Sequence, residues 1–308
     1  MKFEDVENAR KAYWEKLKKI YLTVGGIAVA FAIFALVGGV RFTNSLMTVF
    51  PAFFVVFFVF VVGVIVASFV AKKERTAYYS AYKAYFVERI MRETFTNLNY
   101  DHTKGLPKEV LKETEMVNLA SRYNSNDLTI ARYKNVGLVQ ADVHIERETT
   151  DSDGNTYYVT LFRGRFMFFE FPKKFNFVLE LVGKRAGIAK VPRSSKNGKR
   201  LAKMKTESGE FNQRFKIYSE DGFEMFYILD PAFIEKIQAI NDNYKGRVMF
   251  GFLENKLMVG LNDGKDSFEP PKPSRPIDEQ AELAKNQADI KVITDFVDYL
   301  RLDKKLFQ

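Results

Sequence analysis

Residues 20–40 read IYLTVGGIAVAFAIFALVGGV, and residues 46–71 read LMTVFPAFFVVFFVFVVGVIVASFVA. The first run holds 21 residues and the second holds 26, and neither contains a charged side chain. At 1.5 Å per residue, a helix of 21 residues spans about 30 Å, which is the thickness of the hydrocarbon core of a bilayer. The two runs therefore predict a pair of transmembrane helices.

A cleaved signal peptide is the main alternative for the first run. The 19 residues that precede it include four acids, whereas the segment before a signal-peptide core is short and basic. These acids are Glu4, Asp5, Glu7 and Glu15. Since only residues 41–45 separate the two runs, we expect a retained, antiparallel hairpin.

The charges that flank the two runs predict the orientation of the hairpin. Six cations lie at its outer ends, and Arg41 alone lies in the turn. They are Lys16, Lys18, Lys19, Lys72, Lys73 and Arg75. The positive-inside rule then predicts a multi-pass membrane protein with both termini in the cytoplasm. Because neither run contains an ionisable side chain, an anchor is favoured over a proton relay or a transport pathway.

Small residues recur at spacings of three and four along both runs, which lets helix backbones approach closely in lipid. They are Gly25, Ala28, Ala32, Ala35 and Gly39 in the first run, and Gly63 and Ala67 in the second. Two interpretations stay open at this stage. The stripe serves packing within the hairpin, or it serves formation of a homo-oligomer.

The composition of the remaining chain narrows its chemistry. The chain has no cysteine, which excludes disulfides, thiolate metal sites and a cysteine nucleophile. Its net charge of +9 arises locally, because residues 173–205 contain eleven lysines and arginines against one acid, Glu180. That segment carries +10 and the rest of the chain −1, so a single basic surface needs an explanation.

Residues 72–98 contain neither Gly nor Pro and are compatible with a helix. Tyr78, Tyr79, Tyr82 and Tyr85 begin within two turns of the predicted membrane. They favour either an interfacial tyrosine belt or packing of the segment onto the soluble domain. A short helical piece is expected at 108–122.

A β-hairpin is the clearest prediction for the soluble part. Val139 to Glu146 alternate between apolar and polar residues, and the turn Asp153-Gly154 leads into a second β-rich run, Thr156 to Phe171. A two-residue turn makes paired positions sum to 307, so Asp142 faces Arg165 and His144 faces Arg163. We expect further strands near 176–182, 201–206, 214–219, 247–252 and 256–261.

The remaining elements complete an α+β architecture. A helix is predicted at 231–242, with Asp230 as its cap and Pro231 in its first turn. A Pro-rich joint at 270–276, which is either a stiff spacer or a polyproline ligand, precedes a helix at 278–301. The predicted fold is thus an N-terminal two-helix transmembrane hairpin, then a mixed, mainly antiparallel β domain with flanking helices. The expected divisions are 1–19, 20–71, 72–125, 126–269 and 270–308.

Several short motifs in this order resemble the bacterial membrane proteins of domain-of-unknown-function family 3137 (DUF3137). They are the paired spans, Phe162-Arg163-Gly164-Arg165-Phe166, Glu207-Ser208-Gly209-Glu210-Phe211-Asn212-Gln213-Arg214-Phe215, Tyr227-Ile228-Leu229-Asp230-Pro231, and Phe252-Leu253-Glu254-Asn255-Lys256-Leu257. Asp230 stands where the resemblance leads us to expect Thr, and it keeps the capping role. The resemblance covers nearly the whole chain and implies the architecture, but it implies no catalytic residue.

No motif of catalysis or metal binding is complete in this sequence. His144 shares a strand face with Asp142 and Glu146, but the arginines predicted opposite would compete for the carboxylates and repel a cation. Residues 151–154 lack the spacing of a calcium loop, and residues 198–200 lack the pattern of a phosphate-binding loop. The sequence therefore predicts no catalytic residue, no metal ligand and no cofactor.

The basic segment is the best functional lead. Its candidate contact residues are Lys184, Arg185, Lys190, Arg193, Lys196, Lys199, Arg200, Lys203 and Lys205. Beside an anionic leaflet each Lys or Arg contributes about 1 kcal/mol, so anionic headgroups are the favoured partner, together with an unidentified protein. A plain solvated loop stays open, and nucleic acid is less favoured.

The leading hypothesis is a non-enzymatic, membrane-anchored scaffold or regulatory protein of the bacterial inner membrane. Its cytoplasmic domain would contact anionic lipid or a protein partner through residues 173–205. The rival from another class is a membrane-tethered enzyme that acts on a lipid or peptidyl substrate, and it requires a deep pocket with convergent acids or a hydroxyl nucleophile. A third hypothesis, an oligomeric pore, requires several hairpins to associate through their small residues.

Overall fold

The computed structural model describes residues 1–43, 49–186 and 201–303. In the first two helices, several side chains lie outside that description as well: residues 31, 34–43, 49–53, 55, 56, 59 and 66–68. The chain divides into two compact units. A helical unit contains residues 1–87 and 269–282, and a sheet unit contains residues 88–268 and 283–308.

The helical unit begins with three consecutive α-helices in the part of the chain that the structure describes. They are α1 (Phe3–Thr43), α2 (Val49–Val70) and α3 (Lys72–Tyr82), and a π-helical turn at Lys83–Glu88 continues the last of them. The helix α1 packs against both α2 and α3. Among the residues with described side chains, no helix combines the length and the apolarity that a bilayer crossing needs.

Gly63 on α2 lies close against α1. A Cβ atom at this position would lie 2.5 Å from Cγ1 of Val24, so the two helices meet there through a glycine and a small aliphatic side chain. Of the other predicted packing residues, Ala28 and Ala32 are half-buried, and a Cβ atom added at Gly25 would meet nothing within 4 Å. The side chains of Ala35 and Ala67, and Gly39, lie outside the described residues.

The tyrosines of α3 pack inside the helical unit. Tyr78 and Tyr82 are fully buried, which favours the packing interpretation over an interfacial belt. The Tyr78 hydroxyl donates to the carbonyl oxygen of Pro271 at 2.9 Å, and Arg10 donates to that of Pro273. The Pro-rich segment is therefore held by the chain's own side chains, and the buried Lys83 pairs with Glu269 at 3.0 Å just before it.

The sheet unit opens with α4 (Arg89–Thr94) and contains a sheet with seven strands among the described residues. The strands are β1 (Thr96–Asp101), β2 (Arg122–Tyr133), β3 (Val136–Thr150), β4 (Thr156–Gly183), β5 (Ala202–Met204), β6 (Phe215–Ser219) and β7 (Val248–Leu261). Hydrogen-bonded neighbours follow the order β1-β2-β3-β4-β6-β5, in which β3 and β6 pair with successive parts of one edge of β4. The strand β7 pairs with the opposite edge of β4. All of these pairings between described strands are antiparallel, which confirms the α+β class with a mainly antiparallel sheet.

The predicted register of the β-hairpin formed by β3 and β4 is correct, but the predicted turn between these strands is wrong. Asp142 pairs with Arg165 and His144 with Arg163, as the sum of 307 requires. The loop, however, holds three residues between Asp151 and Asn155, whose backbone groups bond at 3.0 Å. Leu161 on β4 has no partner on β3 and forms a bulge between the Ile145–Phe162 and Glu146–Thr160 pairs. This extra residue shifts the pairing by one position and so restores the predicted register.

Helices and a loop segment cover both faces of the sheet. On one face lie α8 (Pro231–Asn243) and α9 (Glu279–Leu300), where Phe233 contacts Phe252 and Phe296 contacts Phe250. The other face carries an apolar core formed with residues 106–117, which include α5 (Lys108–Glu113). Two short helices, α6 (Gly209–Arg214) and α7 (Gly222–Ile228), flank β6.

Several predicted elements differ from those observed. Residues 96–101 form a strand rather than the end of a helix, and the helical piece at 108–122 is confined to α5 because β2 begins at Arg122. The two strands expected at 247–252 and 256–261 are the single strand β7. The helix after Asp230 is confirmed, with the Asp230 carboxylate accepting from the Phe233 amide at 2.7 Å.

Candidate functional site

A basic cavity of about 480 Å³ lies in the sheet unit where β4, α6 and α8 end. It is lined by Lys184, Arg185, Gln213, Arg214, Asn241, Asp242, Lys245 and Gly246. Backbone bonds join the three segments, because the Lys184 amide donates to Arg214 at 3.0 Å and the Arg185 amide donates to Gly246 at 3.1 Å. Residues that are distant in sequence thus present their cations to one space.

Most of the cations in this cavity have no carboxylate partner within the described part of the chain. Arg214 bonds Asp242 at 2.5 Å and Glu210 at 2.7 Å, and the bond to Asp242 raises the pKa of Arg214 above its ordinary value. Lys184, Arg185 and Lys245 are exposed and form no salt bridge with any part of the chain that is described. Three cations that have no described carboxylate partner around a concave space favour binding of an anion such as a phosphoryl group.

The structure places the sequence-predicted basic residues as follows. Lys184 and Arg185 line the cavity, whereas Lys203 on β5 and Lys205 just after it are exposed outside its lining. Lys190, Arg193, Lys196, Lys199 and Arg200 lie outside the described residues. Arg214 and Lys245 were missed by the sequence reasoning, because only the fold brings them beside Lys184.

Glu180, the one acid of the basic segment, does not offset the positive surface charge of that segment. It lies on β4 with 3 % of its surface exposed, opposite Gly251 on β7. Burial, and secondarily the charge of Glu115, raises the pKa of Glu180 to about 8. The carboxyl is therefore mostly neutral at pH 7, and Glu180 adds little negative charge to the basic segment.

A second cluster of charged residues lies inside the sheet unit. Carboxylate oxygens of Asp127, Asp142 and Asp266 lie within 4.8 Å of one another, the geometry of a metal-binding group. Arginines are also present, since Arg165 Nε lies 3.8 Å from Asp142 and Arg163 Nη2 lies 3.8 Å from Asp266. Two guanidinium groups already offset the carboxylates, which favours a structural ion-pair cluster over a cation site.

The buried pair in this cluster is supported by further contacts. Arg165 Nε donates to Ser267 Oγ at 2.7 Å, and its Nη2 lies 3.3 Å from Asp289 on α9. The Ser267 amide donates to Asp142 at 2.6 Å, although burial still raises the pKa of Asp142 well above its ordinary value. The arrangement ties β3, β4 and α9 together.

His144 and Glu146 do not join Asp142 in a common site. His144 Nε2 lies 3.3 Å from Thr160 Oγ1 and 3.8 Å from Glu146, while Asp142 is buried beside Arg165. Asp127 was missed by the sequence reasoning. The polar sequence around Asp127 gave no signal, and the structure places this residue where the β2–β3 register shifts, with a φ of +57°.

A smaller cavity of about 240 Å³ lies between α5 and strands β3, β4 and β7. The hypothesis of an enzyme requires a pocket with convergent acids, and the lining of this cavity includes Glu113, Glu170 and Glu254. Thr114, the single hydroxyl in its lining, donates to the Leu111 carbonyl and accepts from the Met116 amide. Both of these bonds go to backbone groups, so the hydroxyl stabilises the end of α5.

Residues 160–302 match the family model described as protein of unknown function (DUF3137). These residues form a DUF3137 domain. The DUF3137 domain extends from β4 to the end of α9, and so it includes the basic cavity and most of the ion-pair cluster. No curated protein matches the chain.

The structure is also similar to the crystal structure of the mycobacterial trehalose monomycolate transport factor A, TtfA. The two chains are 9 % identical with a TM-score of 0.34, over 67 % of this chain and 88 % of that one.

Two motifs of the DUF3137 domain have clear physical roles. In Phe162–Phe166, Gly164 has a φ of +151°, and a Cβ atom there would lie 2.0 Å from the Leu261 carbonyl oxygen. Only glycine lets β7 approach β4 at this point. In Glu207–Phe215, the Ser208 side chain accepts from the Phe211 amide and thereby caps α6.

Proposed function

We propose that the chain is a membrane-anchored scaffold or regulatory protein whose DUF3137 domain contacts phosphate-bearing anionic headgroups through the basic cavity. The anchor is the hairpin of residues 20–40 and 46–71, and the flanking cations orient both termini toward the cytoplasm. The observation that carries the proposal is the set of three cations, Lys184, Arg185 and Lys245, without described carboxylate partners around one cavity.

The exposed side chains of α1 and α2 support lipid as the solvent of the hairpin. Leu22 is 76 % exposed, Phe54 68 % and Phe69 74 %. Large apolar side chains exposed together in this way mark a surface that contacts membrane or protein. Neither run contains a charged side chain, so no ionisable group has to be transferred from water into the lipid.

The charge of the cavity sets the expected strength of headgroup contact. Each cation near an anionic leaflet contributes about 1 kcal/mol, so three contribute about 3 kcal/mol, or roughly a hundredfold in the binding constant. This attraction acts within about 10 Å at ordinary salt, so it orients a domain that is already tethered.

Carbonate extraction and a C-terminal reporter fusion test the anchor. We expect the full chain to remain in the membrane pellet and the fusion to report from the cytoplasm. A chain released by carbonate, or a fusion that reports from the periplasm, would contradict the proposal.

Amide hydrogen exchange of the full chain in lipid nanodiscs tests the headgroup contact. We expect the peptides that contain Lys184 and Lys245 to be protected in discs with phosphatidylglycerol, and not in discs of phosphatidylcholine alone. High salt, or the triple change Lys184→Gln, Arg185→Gln and Lys245→Gln, should remove the protection.

A matched triple control changes Lys112, Lys256 and Lys265 to Gln, because these exposed lysines lie elsewhere in the sheet unit. This control should keep the protection. Equal exchange in the two kinds of disc would refute the role of the cavity.

A further inference from the structure

A second concave surface lies within the helical unit, between α1 and α2. It is a groove of about 570 Å³, within the size range of ligand sites. The walls are apolar side chains: Ile20, Val24 and Ile27 from α1, and Phe58, Val62 and Val70 from α2. The contact of Val24 with Gly63 brings the helices together at this groove.

Two lysines lie among the groove's lining residues at its α1 N-terminal side. Lys16 and Lys19 are three residues apart, so they lie on one face of α1 and one turn before the apolar wall. Lys16 Nζ is 3.8 Å from Glu74, whereas Lys19 forms no salt bridge with the described residues. The groove is therefore apolar along its length and positively charged at one end.

We infer that this groove binds one anionic phospholipid, with an acyl chain along the apolar wall and the phosphate at Lys16 and Lys19. The inference rests on the proposed membrane anchor, and it adds a lipid-specific site to it. From Lys19 to Ile27 the helix rises about 12 Å, which is close to the depth of one leaflet of a core about 30 Å thick. Under the predicted topology, the lysines lie at the cytoplasmic leaflet, where anionic lipid is concentrated.

Charge complementarity favours a lipid over a second copy of the chain as the occupant. Two parallel hairpins in one membrane would bring Lys16 and Lys19 of both copies to the same level, where like charges repel. A zwitterionic lipid would fill the apolar wall but would gain less from the lysines. An anionic headgroup complements both parts of the groove.

Native mass spectrometry of the full chain tests this inference. The chain is reconstituted with equal amounts of phosphatidylglycerol and phosphatidylcholine of identical acyl chains, and the lipid that stays bound after mild detergent extraction is identified. We expect one phosphatidylglycerol per chain, and a phosphatidylglycerol-to-phosphatidylcholine ratio that falls about tenfold or more in the double variant Lys16→Gln and Lys19→Gln.

A control and a filling variant make the test specific. The double change Lys11→Gln and Lys18→Gln removes the same charge from α1 outside the groove lining and should leave the lipid ratio unchanged. Ile27→Trp fills the apolar wall and should reduce retention of both lipids while the chain stays in the membrane pellet.

The outcomes separate this inference from the anchor proposal. A chain that resists carbonate extraction but retains both lipids equally, or responds equally to the two double variants, overturns the groove and leaves the anchor standing. A dimer mass without bound lipid identifies a second copy as the occupant and also overturns it. A chain released by carbonate refutes the anchor itself.

Discussion

Replacing Glu180 with Gln should make the stability of the sheet less dependent on pH. Glu180 is 3 % exposed on β4, and its Oε2 atom has no hydrogen-bond partner among the described residues. Gly251 lies opposite, and a Cβ atom there would be 2.8 Å from Met116 Sδ. The carboxyl therefore lies on the face that residues 115–117 cover, where a charge is poorly solvated.

The expected magnitude follows from the shift in pKa. The pKa of Glu180 rises from 4.5 to about 8 on folding, which corresponds to about 5 kcal/mol. Since the folded state holds the proton more tightly, this stabilisation is fully present below pH 4.5 and is lost as pH rises to about 8. Gln keeps the shape of the neutral acid and cannot ionise.

Hydrogen exchange of the peptide that contains residues 176–183 measures the effect in the full chain. After correction for the intrinsic exchange rate, the opening free energy of the natural chain should fall by about 3 kcal/mol between pH 5.5 and 8 through this group. Glu180→Gln should remove that decrease, whereas the exposed control Glu207→Gln should keep it. An equal decrease in the natural chain and in Glu180→Gln would show that the carboxyl is ionised or solvated in the folded state.

Three further changes test the packing. Arg165→Met should lower the free energy of unfolding by about 3–5 kcal/mol in urea titrations, because it leaves Asp142 buried without its arginine. Adding Asp142→Leu should recover at least half of that loss. If the losses of the two single variants simply add in the double variant, the pairing is contradicted. Gly63→Val should destabilise the hairpin by about 1–3 kcal/mol in detergent-unfolding experiments, and Val24→Ala should compensate; a neutral Gly63→Val would refute the close contact. Asp230→Ala should cost about 1 kcal/mol in thermal unfolding, while Asp230→Ser should not; equal losses would exclude a capping role.

Features with a local cause were predictable from the sequence. The α8 cap needs only Asp230 and Pro231, and the pairing of β3 with β4 follows from alternation of apolar residues along two neighbouring segments. The turn was assigned one residue too short, and the unpaired Leu161 compensated for the error. Agreement in register therefore concealed a wrong turn geometry.

Features with a non-local cause were not predictable. Arg214 and Lys245 reach the basic cavity from 30 and 61 residues beyond Lys184, and no sequence period connects them. The strands β1 and β2 were missed because polar residues interrupt them: Asn97 and Asn99 in β1, and Asn124, Asn126 and Asp127 in β2. Short helices such as α6 depend on a single cap and on burial of Phe211 rather than on periodicity.

The length of β4 has a consequence for how the protein matures on the ribosome. This strand carries β3 and β6 along one edge and β7 along the other, yet its β7 partners are synthesised 67 to 96 residues later. Until then one side of a 28-residue strand is an open template for another nascent chain. Late emergence of the closing strand makes slow, chaperone-assisted assembly the natural expectation, and a truncation before Val248 should aggregate rather than fold.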